Sequence, residues 1–406
     1  MGHMAGHDMS AHTMTGPGGV PMNRLASGTS WVPDTTPMRG VSPKAGAWTV
    51  MLMGQAFGQV FHEGGFFGGT QAGSINWGMA MAQRKVGAGW LTLNGMGSAE
   101  PWTIRGCGYP DMFATGELCG GEPIHEKQHP HDAVMELAAS YTRPLRPGLF
   151  VQVYGGPAGE PALGPAAFPH RASSTINPMA PISHHWLDAT HITYGVATAG
   201  VFTARWKAEA SVFNGREPDE NRHNFDLAPL DSYSGRVWWM PSPAWAVQVS
   251  AGHLKDAEPA HEDLTTVDKN LTTASVSYNR RLAGTEAQWA STVAWGRAVE
   301  TRRPATQFLL METSVARSPH DTWFGRAELG TKSPHDVSIH GLTEPQGMGK
   351  LQGGYVRHAS PWRGWQPGVG FTVSAALANA LLGPRYGGRV TYGSGVFVTI
   401  RPAVMR

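Results

Sequence analysis

Apolar and polar residues alternate along most of this chain with a period of two, in segments of about ten residues. In 201–212 one side carries Phe202, Ala204, Trp206, Ala208, Ala210 and Val212, and the other carries Thr203, Arg205, Lys207, Glu209 and Ser211. The segment 273–281 repeats the pattern, with Ala274, Val276 and Tyr278 opposite Thr273, Ser275, Ser277, Asn279 and Arg281. Sixteen segments of this kind are predicted as strands: 47–61, 71–84, 89–97, 133–142, 149–156, 190–199, 201–213, 232–240, 244–253, 271–281, 285–297, 305–316, 321–331, 349–359, 367–379 and 390–401. Their connections alternate between short (Lys85–Ala88, Arg143–Gly148, Gly200, Pro241–Pro243) and long (62–70, 98–132, 157–189, 214–231).

Alternating connection length, together with strands long enough to cross a bilayer when tilted, predicts an all-β fold. The expected form is a single transmembrane antiparallel β-barrel of about 16 strands, between 14 and 18, with short periplasmic turns and long outer loops. Closure would satisfy every backbone group within the lipid. Residues 46–406 form the barrel in this reading, and residues 1–45 a periplasmic tail or plug, His/Met-rich at first and then Gly/Pro-rich. A soluble propeller or sandwich array would need turns at even spacing and a repeat of roughly 40–50 residues, and neither is present. The chain ends Ile400-Arg401-Pro402-Ala403-Val404-Met405-Arg406 rather than on an aromatic residue, a departure from many outer-membrane barrels.

Composition narrows the picture. Net charge is +2, with 32 basic and 30 acidic residues among 406, so the basic face that a nucleic-acid protein needs is missing and no nucleic-acid partner is expected. Only 15% of residues are charged, which fits an apolar outer surface around a polar lumen. No run approaches 18 apolar residues, so no helical span is expected. Residues 1–30 lack the basic and apolar regions of a signal peptide. That leaves a processed form, a misplaced start or a protein that is not exported, and the barrel pattern favours the bacterial outer membrane with its lipid as partner.

Candidate chemistry is concentrated in three places. The first 14 residues hold His3, His7 and His12 with Met1, Met4, Met9 and Met14. Thioether and imidazole together favour copper, and the alternative is a flexible polar tail or a cloning scar. Such a tail would collect ions in the periplasm or meet a periplasmic partner protein. Next come His129, His131, Asp132 and Glu136 at the start of strand four, His184, His185, Asp188 and His191 before strand six, and 215–223 after strand seven. These are expected near one another at the outer mouth. They would form either an imidazole–carboxylate metal site or a hydrogen-bonded network that narrows the mouth. A helical turn capped by Ser183 would set His184, Asp188 and His191 on one face. Cys107 and Cys119, in one long loop, read as a local disulfide or as a thiol pair that His125 could join on a metal. Arg205, Lys207 and Glu209 are expected to line the lumen. Met51 and Met53 share a face in strand one, where packing against a plug competes with handling of a soft metal. No G-x-S-x-G or phosphate-loop motif occurs.

The stretches Ala26–Asp34, Gln128–Asp132, Ser183–His191 and Phe213–Glu220 resemble those of an uncharacterised family of proteobacterial outer-membrane proteins, with the resemblance running over 26–401. It implies a β-barrel and brings no activity or substrate. The His/Met tail is separately similar in composition to copper-resistance outer-membrane proteins. The leading expectation is thus a barrel that binds or passes a transition metal, copper first. The alternatives are a general diffusion porin for small solutes and an outer-membrane hydrolase acting on lipid or glycan.

Overall fold

The computed structural model describes residues 14–258, 266–282, 287–337, 339 and 342–405. Sixteen strands close into one antiparallel barrel in which chain neighbours are also ladder neighbours. They are β1 (Trp48–Glu63), β2 (Gly69–Val86), β3 (Gly89–Gly97), β4 (Val134–Arg146), β5 (Leu149–Ala158), β6 (Val196–Phe202), β7 (Trp206–Phe213) and β8 (Ser232–Trp239). The second half comprises β9 (Trp245–Glu258), β10 (Val267–Arg281), β11 (Gln288–Glu300), β12 (Thr306–Ala316), β13 (Asp321–Lys332), β14 (Gln346–His358), β15 (Trp365–Ala378) and β16 (Val390–Pro402). Closure is made by β16 on β1, from Gly393 opposite Glu63 to Ile400 opposite Ala56. Closure leaves the barrel wall itself with no open edge among the described residues.

Each strand presents its two sets of side chains to two different solvents. On β16 the even positions Tyr392, Val396, Val398 and Ile400 are exposed, and on β15 so are Val369, Phe371 and Val373. Around the barrel these residues make an apolar belt of the kind that lipid requires. At the end with the short turns the belt is edged by aromatic rings: Trp245 on Tyr278 at 4.7 Å, Tyr278 on Trp289 at 5.4 Å, and Trp323 on Tyr355 at 4.7 Å. Rings with an apolar body and a polar tip favour that depth of a membrane. The first strand begins and the last strand ends at this end, which is the periplasmic one for a barrel with an even number of strands.

The inward sets are polar and paired. Arg236 on β8 binds Glu209 on β7 at 2.9 Å, Lys207 lies 3.2 Å from the same carboxylate, and Lys350 on β14 meets Glu63 at 2.5 Å. Lys207 and Glu209 therefore line the lumen. Arg205 does not: it lies exposed in the turn between β6 and β7. The turn falls at 203–205 rather than at Gly200, and this reverses the facing of everything before it. Phe202 consequently points inward, where Trp31 packs against it at 5.8 Å and Phe150 stacks on it at 5.3 Å.

Two segments fill the barrel. Residues 14–43 enter from the periplasmic end and lie inside the wall, with Arg24, Ser27, Ser30 and Trp31 buried. Arg24 donates to Asp34 at 2.6 Å and to the Ala204 carbonyl at 2.7 Å, and Trp31 sits between the Arg24 guanidinium at 4.8 Å and the Lys207 ammonium at 4.9 Å. The outer loop 159–195 folds down from the other side. Its two ends are joined by a bridge between Gly159 and Thr193, and its Arg171 reaches Glu312 on β12 at 2.6 Å. The two fillings meet where Ser27 donates to Glu160 at 2.6 Å.

Candidate functional site

The loop 159–195 carries a short helix, His184–Leu187, followed by a 3-10 turn, Ala189–His191. Ser183 does not cap that helix; its hydroxyl and backbone N–H both donate to Glu328 on β13. The grouping of His184, Asp188 and His191 comes instead from Asp188 itself. Its carboxylate accepts from His184 Nδ1 at 2.8 Å and from Arg171 at 2.6 Å, while its carbonyl accepts from His191 Nδ1 at 2.8 Å.

Loop 98–133 brings the other imidazoles. Five rings form one cluster: His184 lies 5.0 Å from His191 and 5.3 Å from His185, His131 lies 5.4 Å from His191, and His129 lies 6.0 Å from His185. Phe168 touches three of them, stacked on His131 at 5.9 Å and edge-on to His184 at 5.4 Å. All five rings are buried. The cluster is thus inside the lumen, not at an open mouth, because both loops fold inward. The hairpin Tyr109–Cys119 and Glu122–Gln128 helps cover it: a Cβ on Gly116 would come within 2.1 Å of the His185 ring. Cys107 and Cys119 are joined in a disulfide that pins this hairpin. His125 bonds the Asp336 carbonyl at 3.0 Å.

Each ring presents the same nitrogen to an acceptor. His131 Nδ1 faces Glu100 at 2.9 Å, His185 Nδ1 faces Glu217 at 3.1 Å, and His129 Nδ1 faces Glu117 at 3.2 Å. Where the ring is neutral and its partner ionised, that arrangement favours the proton on Nδ1 and leaves Nε2 unprotonated. Nε2 of His129, His185 and His191 is buried and bonded to nothing among the described residues. Burial holds His184, His191 and His129 below the ordinary histidine range, with Arg222 adding to the effect at His129. Burial opposes the proton on His131 as well, but the Glu100 carboxylate overrides it and raises that ring. Burial lifts Glu117 to about 8 despite Arg222, and Asp132 to about 6.

The expected residues divide accordingly. His129, His131, His184, His185, Asp188 and His191 come together. Asp132 stands beside them, 3.7 Å from Arg222. Glu136 does not join: it faces away from the cluster, accepting from Tyr154 at 2.8 Å and Asn94 at 3.2 Å. His3, Met4, His7, Met9 and His12 lie outside the described residues. Met14 is partly buried, against Met22 and the wall methionines. Among the described residues no three His, Cys, Asp or Glu side chains converge as a ready metal site. Spacing could not have found Glu100, Glu117, Phe168 or Arg171, since each meets the cluster only through the folding of a different loop segment.

No family model matches this chain, and no curated protein does. Solved outer-membrane barrels do. OmpF of Salmonella typhi in complex with daunomycin is 10% identical with a TM-score of 0.54, covering 89% of this chain and 100% of that one. An anion-selective porin from Comamonas acidovorans is 10% identical at 0.52, covering 87% and 99%. OprB of Pseudomonas putida is 9% identical at 0.52, covering 87% and 94%. At such identities the likeness is one of fold. With the lipid-facing belt, it makes this chain a bacterial outer-membrane β-barrel.

Proposed function

We propose that this barrel passes small hydrophilic solutes by diffusion, along a lumen narrowed by residues 14–43 and by loop 159–195. The observation that supports it is the inward wall: strand after strand places charged and amide side chains inside, a surface suited to hydrated solutes. The porins that share the fold carry the same expectation. A cavity of about 160 Å³ lies between wall and filling, and a continuous path for flow would require the inward segments to shift. Liposome swelling tests this. Refolded full-length protein should admit small sugars, faster when Trp31→Ala loosens the N-terminal segment. Vesicles that stay impermeable with both proteins correctly inserted would contradict it.

A second reading, binding or passage of a transition metal with copper first, is favoured by one observation: the unbonded Nε2 atoms of His129, His185 and His191, whose Nδ1 atoms face carboxylates or a carbonyl. Second-shell carboxylates of this kind orient metal-bound imidazoles in general. A metal would require side-chain rotations that bring three rings to one point. Titration of Cu(II) and Zn(II) into the full chain, its His131→Ala/His184→Ala variant and a variant with His3, His7 and His12 all changed to Ala distinguishes the cluster from the tail. Equal binding by all three would remove this reading. The hydrolase alternative has no comparable support: among the described residues, none of the five rings bonds a serine or threonine hydroxyl.

A further inference from the structure

A cavity of about 160 Å³ lies between residues 22–39 of the N-terminal segment and the wall. Two guanidinium groups line it, Arg39 from the segment and Arg401 from β16. Neither has a carboxylate partner among the described residues. Arg39 Nη1 donates to the Gln366 side-chain oxygen at 3.1 Å and to the Pro402 carbonyl at 3.5 Å. Arg401 meets the His358 ring at 3.5 Å, and its Nε, buried, bonds nothing. Arg401 is only 6% exposed. By contrast Arg171, Arg236 and Lys350, also enclosed by the barrel, each hold a carboxylate within 2.9 Å. No aspartate or glutamate lines the cavity.

Water can supply hydrogen bonds to such groups but cannot neutralise two enclosed positive charges. The remaining lining has two characters. Asn279 Nδ2 and His170 Nε2 are buried and bond nothing among the described residues, so polar atoms besides the guanidiniums await partners. Met38, Met51, Met53 and Trp77 give the rest an apolar wall. Thioethers alone would suit a soft metal ion, but two unpaired guanidiniums in the same cavity repel any cation. We propose that this cavity binds a small organic anion, a carboxylate on a short apolar body. The carboxylate would take parallel hydrogen bonds from Arg401 and Arg39, and the body would lie on the methionines and the indole. Binding itself stands on these residues alone. That the anion is also cargo rests on the diffusion reading above.

The test uses the refolded full chain in detergent, with benzoate as the organic anion, benzamide as its neutral counterpart and sulfate as an inorganic anion, read by calorimetry. Benzoate should bind saturably, at least tenfold more tightly than either of the others. Arg401→Gln should weaken it at least tenfold, and Arg401→Lys should recover part of the loss. In anion-free buffer Arg401→Gln should melt no lower than the parent, because it removes an uncompensated charge, and this separates lost binding from lost folding. Benzamide binding as tightly as benzoate, sulfate binding as tightly as benzoate, or benzoate binding equally well to an Arg39→Gln/Arg401→Gln variant would each overturn the proposal. No conductance is read, so a barrel that fails to pass solutes would leave this result intact.

Discussion

Gly28 shows how a single position holds the filling in place. Its φ is +56°, and a Cβ there would come within 2.7 Å of the Glu160 side chain, at the point where the N-terminal segment meets loop 159–195. Alanine must either strain the backbone or push Glu160 from the hydroxyls of Ser27 and Ser30. Gly28→Ala should therefore loosen the segment, by about 1–3 kcal/mol. Trypsin cleavage after Arg24 and Arg39 should accelerate while the barrel stays intact, and unchanged cleavage rates would show that the contact does not hold the segment. At this scale the sequence was least legible. Nothing near Gly28 in the chain points to Glu160, and nothing near Arg39 points to Arg401; both pairings exist only because the segment is threaded into the barrel.

At the scale of elements, the strands were the legible part, since a strand between lipid and a polar lumen must alternate. All sixteen were recognised and most placed to within a few residues, but β6 begins at Val196 rather than 190, β9 ends at Glu258 rather than 253, and the turn between β6 and β7 was misplaced. There Phe202 continues the apolar series of the following strand, and a turn at Gly200 looked adequate. The sequence could not show that the lumen has its own apolar surface, from Trp31 and Phe150, able to take a phenylalanine inside. The loops were less legible for a related reason: their histidines were recognisable, and a network narrowing the mouth was one of two alternatives, but the depth of their inward folding and the partners it brings were not. That folding has a pH consequence. His184, His191 and His129 are held below their unfolded value near 6.5, so the unfolded loops bind protons first as the medium is acidified. The stabilisation from these three neutral rings is fully present above about pH 6.5 and is lost as pH falls below it; Glu117 and Asp132, lifted to about 8 and about 6, take up protons in the folded loops over the same range and offset part of that loss. Protection of the 184–191 amides, taken relative to the intrinsic exchange rate at each pH, should fall between about pH 6.5 and 5 while the strand amides stay protected. Protection that rises on acidification would reverse the assigned charge states.

For the whole molecule, the two solvents outside the wall and the two segments inside it explain most of the composition. Few charges are needed because half of each strand faces lipid, and those on the inward face are largely paired, as in Arg236–Glu209, Arg171–Glu312 and Lys350–Glu63. The Met51 and Met53 face belongs to this account: Met51 stands opposite Met81, Met53 opposite Met79, and Met79 opposite Met96 across neighbouring strands. A Cβ on Gly40 of the N-terminal segment would lie 3.3 Å from Met51 and 3.4 Å from Met53. Flexible thioethers fit an irregular insert against a regular wall, and the adjacent guanidiniums make a cation there unfavourable. The central claim is that a polar, solute-passing lumen is kept narrow by its own N-terminal segment. Single-channel recording in planar bilayers tests it most directly, comparing the full chain with an Arg24→Ala/Trp31→Ala variant. The account predicts small unit steps for the full chain and clearly larger ones for the variant, both with linear current–voltage relations at low voltage. Identical steps from the two proteins, or none from either after verified insertion, would contradict it.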